Sequence, residues 1–426
     1  MKKIITSLLL LFSPVLNADS VFHASGSNLS SGPISQVPSL LAEMNNPASG
    51  AVSTHFGRKT FGFGLLSSFG VSAEVGQVDN FLGDLDRLAD QLDRDDLTYD
   101  QANNLINEFQ VLLVKMGDVG YVTTNAAVHA PLFPMVMKAF GGALVFDING
   151  SAQVRLRVLD SPLAFDQISS SLETNTSLYI KGASVIEGSV GYSRRLFDTP
   201  FGKLFTGVRA KYFSVGLTKS VVGLTESGNT NDELGDRVGK DFATSNAIGV
   251  DVGLMLVSNH FSVGATVNNI NQPSFNYAPV GQNCASLTGG RQNDCYSALS
   301  FANEINLNET HVFALQTRLE SSFYSAGRSW MLSASMDVNP VNDPVGNELQ
   351  WLTGSATLAP NSWFWPGMRL GYRSNLVGSQ LSYATAGLTL FKIFSLDMAY
   401  GLESVQIEGD TLPRGVAVNL GLELSF

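Results

Sequence analysis

Hydrolytic or metal chemistry would be assembled from histidines, cysteines and nucleophile–base pairs, and this chain is poor in all of them. Its five histidines are His23, His55, His129, His260 and His311, and no two stand at metal-ligand spacing. No Gly-x-Ser-x-Gly elbow occurs, and no glycine-rich phosphate loop leads from a strand into a helix. His129 falls in a stretch of strand character, so hydrolysis there would need a Ser or Asp from a neighbouring strand. A solitary strand histidine more often serves the fold. The expectation is a non-enzyme with no catalytic residues, no metal site and no cofactor. Two cysteines, Cys284 and Cys295, share one expected loop and lack histidines nearby to complete a zinc set. In an exported chain they are expected to pair as a structural disulfide.

The charged residues that could act are set inside strands. Leu204 to Tyr212 alternates so that Val208 and Ala210 face one way and Arg209 and Lys211 the other. Asp251 stands on the small-residue face of Ile248 to Leu256, Asp397 on that of Leu396 to Leu402, and Glu423 on that of Val416 to Phe426. Charges on one face of an otherwise apolar strand suit a wet lumen and would be costly in a sandwich core. Arg209, Lys211, Asp251, Asp397 and Glu423 are therefore expected to face a lumen.

Strands of this kind recur along the chain, roughly at 57–68, 120–130, 138–158, 176–194, 202–218, 243–257, 260–270, 309–323, 328–338, 349–358, 366–374, 379–390, 394–403 and 415–426. That is about fourteen, an even number. The odd-numbered connections, apart from 375–378, are all longer than any even-numbered one, as in barrels with short periplasmic turns and long outer loops. The last strand ends on an aromatic residue, with Leu422, Leu424 and Phe426 on its apolar face. Such an ending resembles the signal read by the outer-membrane assembly machinery. Tyr192, Tyr212, Trp363, Trp365, Tyr372, Tyr383, Phe394 and Tyr400 stand at expected strand ends, where they could form interfacial girdles.

Met1-Lys2-Lys3, the apolar run Ile4 to Phe12 and the small Ala18 read as a signal peptide over 1–18. Charged residues make up 15% of the chain, below the ~25% of soluble proteins. A net charge of −11 leaves no basic face for nucleic acid. The fold expected is thus all-β, a transmembrane antiparallel barrel over 57–426 in the bacterial outer membrane, in contact with its lipid.

Two segments fall outside this pattern. Leu82, Leu85, Leu88 and Leu92, then Leu105, Ile106, Phe109, Leu112 and Leu113, have helical spacing, with Thr98 and Gln101 set as a capping box. A helical hairpin over about 80–116 could cover the barrel mouth, dip into it, or only brace a loop. Residues 19–56 are rich in Ser, Gly and Pro and too long for a tail, so they are expected to enter the lumen as a plug.

Asn45-Asn46-Pro47-Ala48, just before the first strand, resembles the Asn-Pro-Ala sequence that precedes the barrel in FadL-like outer-membrane proteins. Val267 to Phe275 is similar to a strand-end pattern of the same superfamily, most of all in its TraF-type conjugal transfer branch, and the likeness spans nearly the whole mature chain. Absence of a Cys-x-x-Cys separates it from the thioredoxin-like protein of the same name. The resemblance implies a fourteen-strand barrel in which Asn46, Pro47 and Ala48 belong to a hatch and small hydrophobic molecules pass. It also implies an alternative, a non-transporting scaffold contacting conjugation or secretion components.

Overall fold

The computed structural model describes residues 24–56, 60–224 and 242–425. The leader and Phe426 lie outside them. Fifteen strand segments form one sheet: β1 Phe61–Val75, β2 Tyr121–His129, β3 Met135–Ala139, β4 Gly142–Leu159, β5 Ser177–Thr199, β6 Gly202–Gly223, β7 Ala243–Val257, β8 Phe261–Asn268, β9 Gln316–Tyr324, β10 Trp330–Asp337, β11 Trp351–Leu358, β12 Gly367–Asn375, β13 Ser382–Leu390, β14 Phe394–Gly401 and β15 Gly415–Ser425. Each is antiparallel to its neighbours. β2 and β3 share one position between β1 and β4, so the wall has fourteen strands.

The cylinder closes where β1 meets β15, with Phe69 opposite Leu420 and Ala73 opposite Val416. Closure removes the unpaired edge that an open sheet would expose. Alternation then sorts the side chains. On β15, Val416 and Leu420 are 42% and 41% exposed, whereas Asn419 between them is 1% exposed. The same holds on β7, where Ile248 and Leu254 face out while Asp251 and Met255 are buried inside. The outer surface is a belt of apolar side chains, and the inner one is small or polar. Tyr383 departs from the girdle expectation. It faces inward and donates its hydroxyl to Glu74 at 3.0 Å.

Among the described connections, 140–141, 200–201, 258–260, 325–329, 359–366 and 391–393 gather at one end, and 76–120, 160–176, 269–315, 338–350, 376–381 and 402–414 at the other. At the long-loop end, helices Phe81–Leu92 and Tyr99–Val119 form the hairpin, and the Thr98–Gln101 capping box is present. Leu85, Leu88, Phe109, Leu113 and Met116 bury against Leu156, Ile180 and Val222 on β4, β5 and β6. The hairpin therefore stands on the extended wall beside the mouth. In the loop 269–315 Cys284 and Cys295 form a disulfide, and helix Gly290–Ser300 carries the second of them.

The turn expected at 131–137 is instead a break inside a strand. Pro131 and Pro134 cannot donate to a ladder, so pairing stops after His129 and resumes at Met135, which faces Phe63 on β1 and Phe146 on β4. The chain reverses only at Phe140 and Gly141, both at positive φ. β1 yields at the same level: its register against β15 shifts on both sides of Leu66, and Ser67 donates to the Phe133 carbonyl at 2.6 Å.

Candidate functional site

Residues 24–56 run inside the barrel and are nearly all buried. Ser, Gly and Ala dominate because little space separates this segment from the wall. Asn46-Pro47-Ala48 rests on a pad of wall glycines. A Cβ on Gly207 would lie 2.1 Å from the Pro47 carbonyl oxygen, and one on Gly264 3.1 Å from Asn46 Nδ2. The Asn46 side-chain amide donates to the carbonyls of Leu254 (3.2 Å) and Ala265 (3.3 Å) and to Glu320 Oε1 (3.3 Å). Its oxygen accepts from the Ala48 amide at 2.9 Å.

Three wall carboxylates hold the rest of the segment. Glu320 accepts from the Ser35 amide at 2.7 Å and the Ser35 hydroxyl at 2.6 Å. Glu423 accepts from Ser39 Oγ at 2.8 Å and the Leu40 amide at 2.7 Å. Asp397 accepts from the Ser30 hydroxyl and pairs with Arg369 Nη2 at 2.9 Å. Bonds to an ionised acceptor are about twice as strong as neutral ones. Glu320 and Glu423 thus satisfy plug backbone amides that would otherwise be buried unpaired, and Asp397 does the same for a plug hydroxyl.

Arg209, Lys211 and Asp251 meet in one cluster. Asp251 takes Arg209 Nη2 at 2.7 Å, Lys211 Nζ at 2.8 Å and the Asn269 amide at 2.9 Å. Arg209 Nη1 also donates to the Met44 carbonyl at 2.6 Å, tying the cluster to the plug. All five inward charges named from the sequence face the lumen. Asp397 and Glu423 stand apart from that trio, on β14 and β15. Glu320, Arg369 and Arg373 were not singled out, although the same alternation applied to β9 and β12 marks all three as inward.

His129 Nε2 lies 3.5 Å from Asp147 Oδ2 on the adjacent β4. No hydroxyl hydrogen-bonds to it among the described residues, so a Ser-His-Asp arrangement is not assembled there.

Above the plug a cavity of about 620 Å³ opens toward the long loops. Leu29 and Ala24 of the plug floor it, Tyr121, Trp351 and Tyr383 line its wall, and Asp118, Asp343 and Glu348 stand on the rim connections. Burial raises the Asp343 carboxyl above the usual carboxylate range, against the hydrogen bonds it accepts from Asn347. A smaller cavity of about 110 Å³ lies deeper, and Ala24, Trp351 and Arg373 line both.

These features define a plugged fourteen-strand antiparallel β-barrel. Solved structures similar to it include the Ralstonia pickettii toluene transporter TbuX, 12% identical, with 95% of this chain and 100% of that one covered at a TM-score of 0.39. They also include the P. putida toluene transporter TodX, 11% identical over 95% and 99% at 0.40, and a Pseudomonas aeruginosa FadL homologue, 10% identical over 97% and 100% at 0.37. No curated protein matches the sequence. The family model described as "F plasmid transfer operon, TraF, protein" matches residues 43–337, and the chain belongs to that family.

Proposed function

We propose that the chain is an outer-membrane conduit that admits small molecules with an apolar body, held shut at rest by its N-terminal segment. One observation carries this reading. Residues 24–56 fill the barrel beneath a cavity that opens at the long-loop end, which is the cell exterior if the short turns face the periplasm. A stopper held against the wall by hydrogen bonds and glycine contacts, with no cross-link among the described residues, is suited to movement. In planar bilayers the full-length protein should conduct poorly, and deletion of residues 19–50 should raise conductance severalfold. Unchanged conductance would overturn the reading.

A second reading has its own support. Val111 and Val114 are exposed on the outer face of the helical hairpin, where a partner in a conjugation or secretion apparatus would find an apolar contact. Photo-crosslinking from position 111 in intact cells tests it. Recovery of assembly factors alone would dispose of this scaffold role.

A further inference from the structure

We infer that the cavity carries a recognition site for small organic anions, aryl carboxylates, centred on Arg373. This inference rests on the conduit reading for its purpose but not for its chemistry. The Arg373 guanidinium lies over the Trp351 ring, 3.9 Å from its centroid. Its Nε is buried, and the side chain forms no hydrogen bond or ion pair with any described residue.

The neighbouring carboxylates are already engaged. Asp337 takes Arg318 Nε at 2.8 Å and the Trp351 amide at 3.0 Å. Glu74 takes the hydroxyls of Tyr121 and Tyr383. Arg155 and Arg414, on the same cavity wall, spend donors on the Asn347 side chain and the Val75 carbonyl. Arg373 alone of the three presents a whole forked donor set that no acceptor among the described residues meets. A buried donor without a partner is costly, and a guanidinium matches a carboxylate through two parallel bonds.

The surroundings set the rest of the ligand. Trp351 and Tyr383 stand with ring centroids 6.2 Å apart, beside Leu29 of the plug and Ala399 of the wall. A flat apolar body fits against that patch while its carboxylate reaches Arg373. Because Arg373 and Trp351 line both cavities, an anion bound there sits where the outer chamber meets the plug.

Trp351 also serves as reporter. Of the four tryptophans, Trp330 is on the outer face and Trp363 and Trp365 are exposed in a short turn. The full-length protein in detergent is titrated with 4-nitrobenzoate, a quencher, and with its neutral isostere 4-nitrobenzamide. Saturable quenching by the anion is expected, with the amide at least tenfold weaker. Arg373→Gln should weaken the anion at least tenfold and leave the amide unchanged. Arg373→Lys, which keeps the charge and loses the fork, should fall between. Competition by unlabelled benzoate against benzamide on the unaltered protein covers the case in which the variants do not fold. Equal binding of acid and amide, or indifference to Arg373→Gln in a folded barrel, overturns the site. Liposome influx separates the two readings: binding without influx keeps the site and removes the conduit, whereas equal, Arg373-independent influx of both probes keeps the conduit and removes the site.

Discussion

Gly253 on β7 faces Asn46 of the plug so closely that a Cβ added there would lie 2.0 Å from the Asn46 side-chain oxygen. The strand and the plug segment, far apart in sequence, are thus cut to one another at the level of a single methyl group.

Gly253→Ala should therefore expel the Asn-Pro-Ala turn from its pad. Overpacking of this kind costs about 1–3 kcal/mol, of the order of what holds one anchor. Leak conductance should rise while the barrel keeps its heat-modifiable migration on gels. A variant with the conductance of the unaltered protein would show that the turn has room to shift.

Glu320 is the second handle. Glu320→Ala removes the acceptor for Ser35 and Asn46 and leaves buried donors unpaired, at about 1–3 kcal/mol each. Leak should rise well above that of Glu320→Gln, which keeps an acceptor oxygen. Chemical labelling of a cysteine placed at Ser35 would report the exposure directly.

How far these contacts could be read in advance differs by level. Alternation marked Asp251, Asp397 and Glu423 as inward because the facing of a side chain is a local property of one strand. Which inward groups meet is not local. Arg209 reaches Asp251 because β6 and β7 are paired, but Glu423 reaches Leu40 only because the cylinder is closed around the plug. The break in the wall was misread for a related reason. Pro131 and Pro134 carry the chemistry of a turn, and only the pairing of Met135 with both Phe63 and Phe146 shows that the strand resumes. Tyr383 looked like a girdle aromatic from its place near a strand end, and its facing depends on a register that begins at Ser382.

Acid should loosen the outer loop that carries His311. Burial lowers the pKa of this histidine from 6.5 to about 4, with the Lys181 charge adding to the effect. The folded loop thus favours neutral imidazole, and its stability is complete above the unfolded pKa. It declines as pH falls from about 6.5 toward 4, with a total loss of about 3 kcal/mol. Protection factors over residues 269–315, taken against the intrinsic exchange rate at each pH, should fall across that window, and His311→Phe should abolish the dependence. A flat profile in the unaltered protein would refute the assignment.

Breaking the disulfide should act on the same loop and nowhere else. Cys284→Ser with Cys295→Ser removes a short covalent ring worth about 2–3 kcal/mol by loop entropy. Proteolysis near helix Gly290–Ser300 should quicken severalfold while the melting of the barrel stays unchanged. A lowered barrel melting temperature would mean that the loop props up the wall.

The seam between β1 and β15 ties the closing of the wall to the seating of the plug. Residues 24–56 precede β1 in the chain yet end up encircled by all fourteen strands, and Glu423 on the last of them clasps Ser39 and Leu40. The strand that zips the cylinder shut therefore also fastens what is inside it: sealing the wall and seating the stopper draw on the same carboxylate.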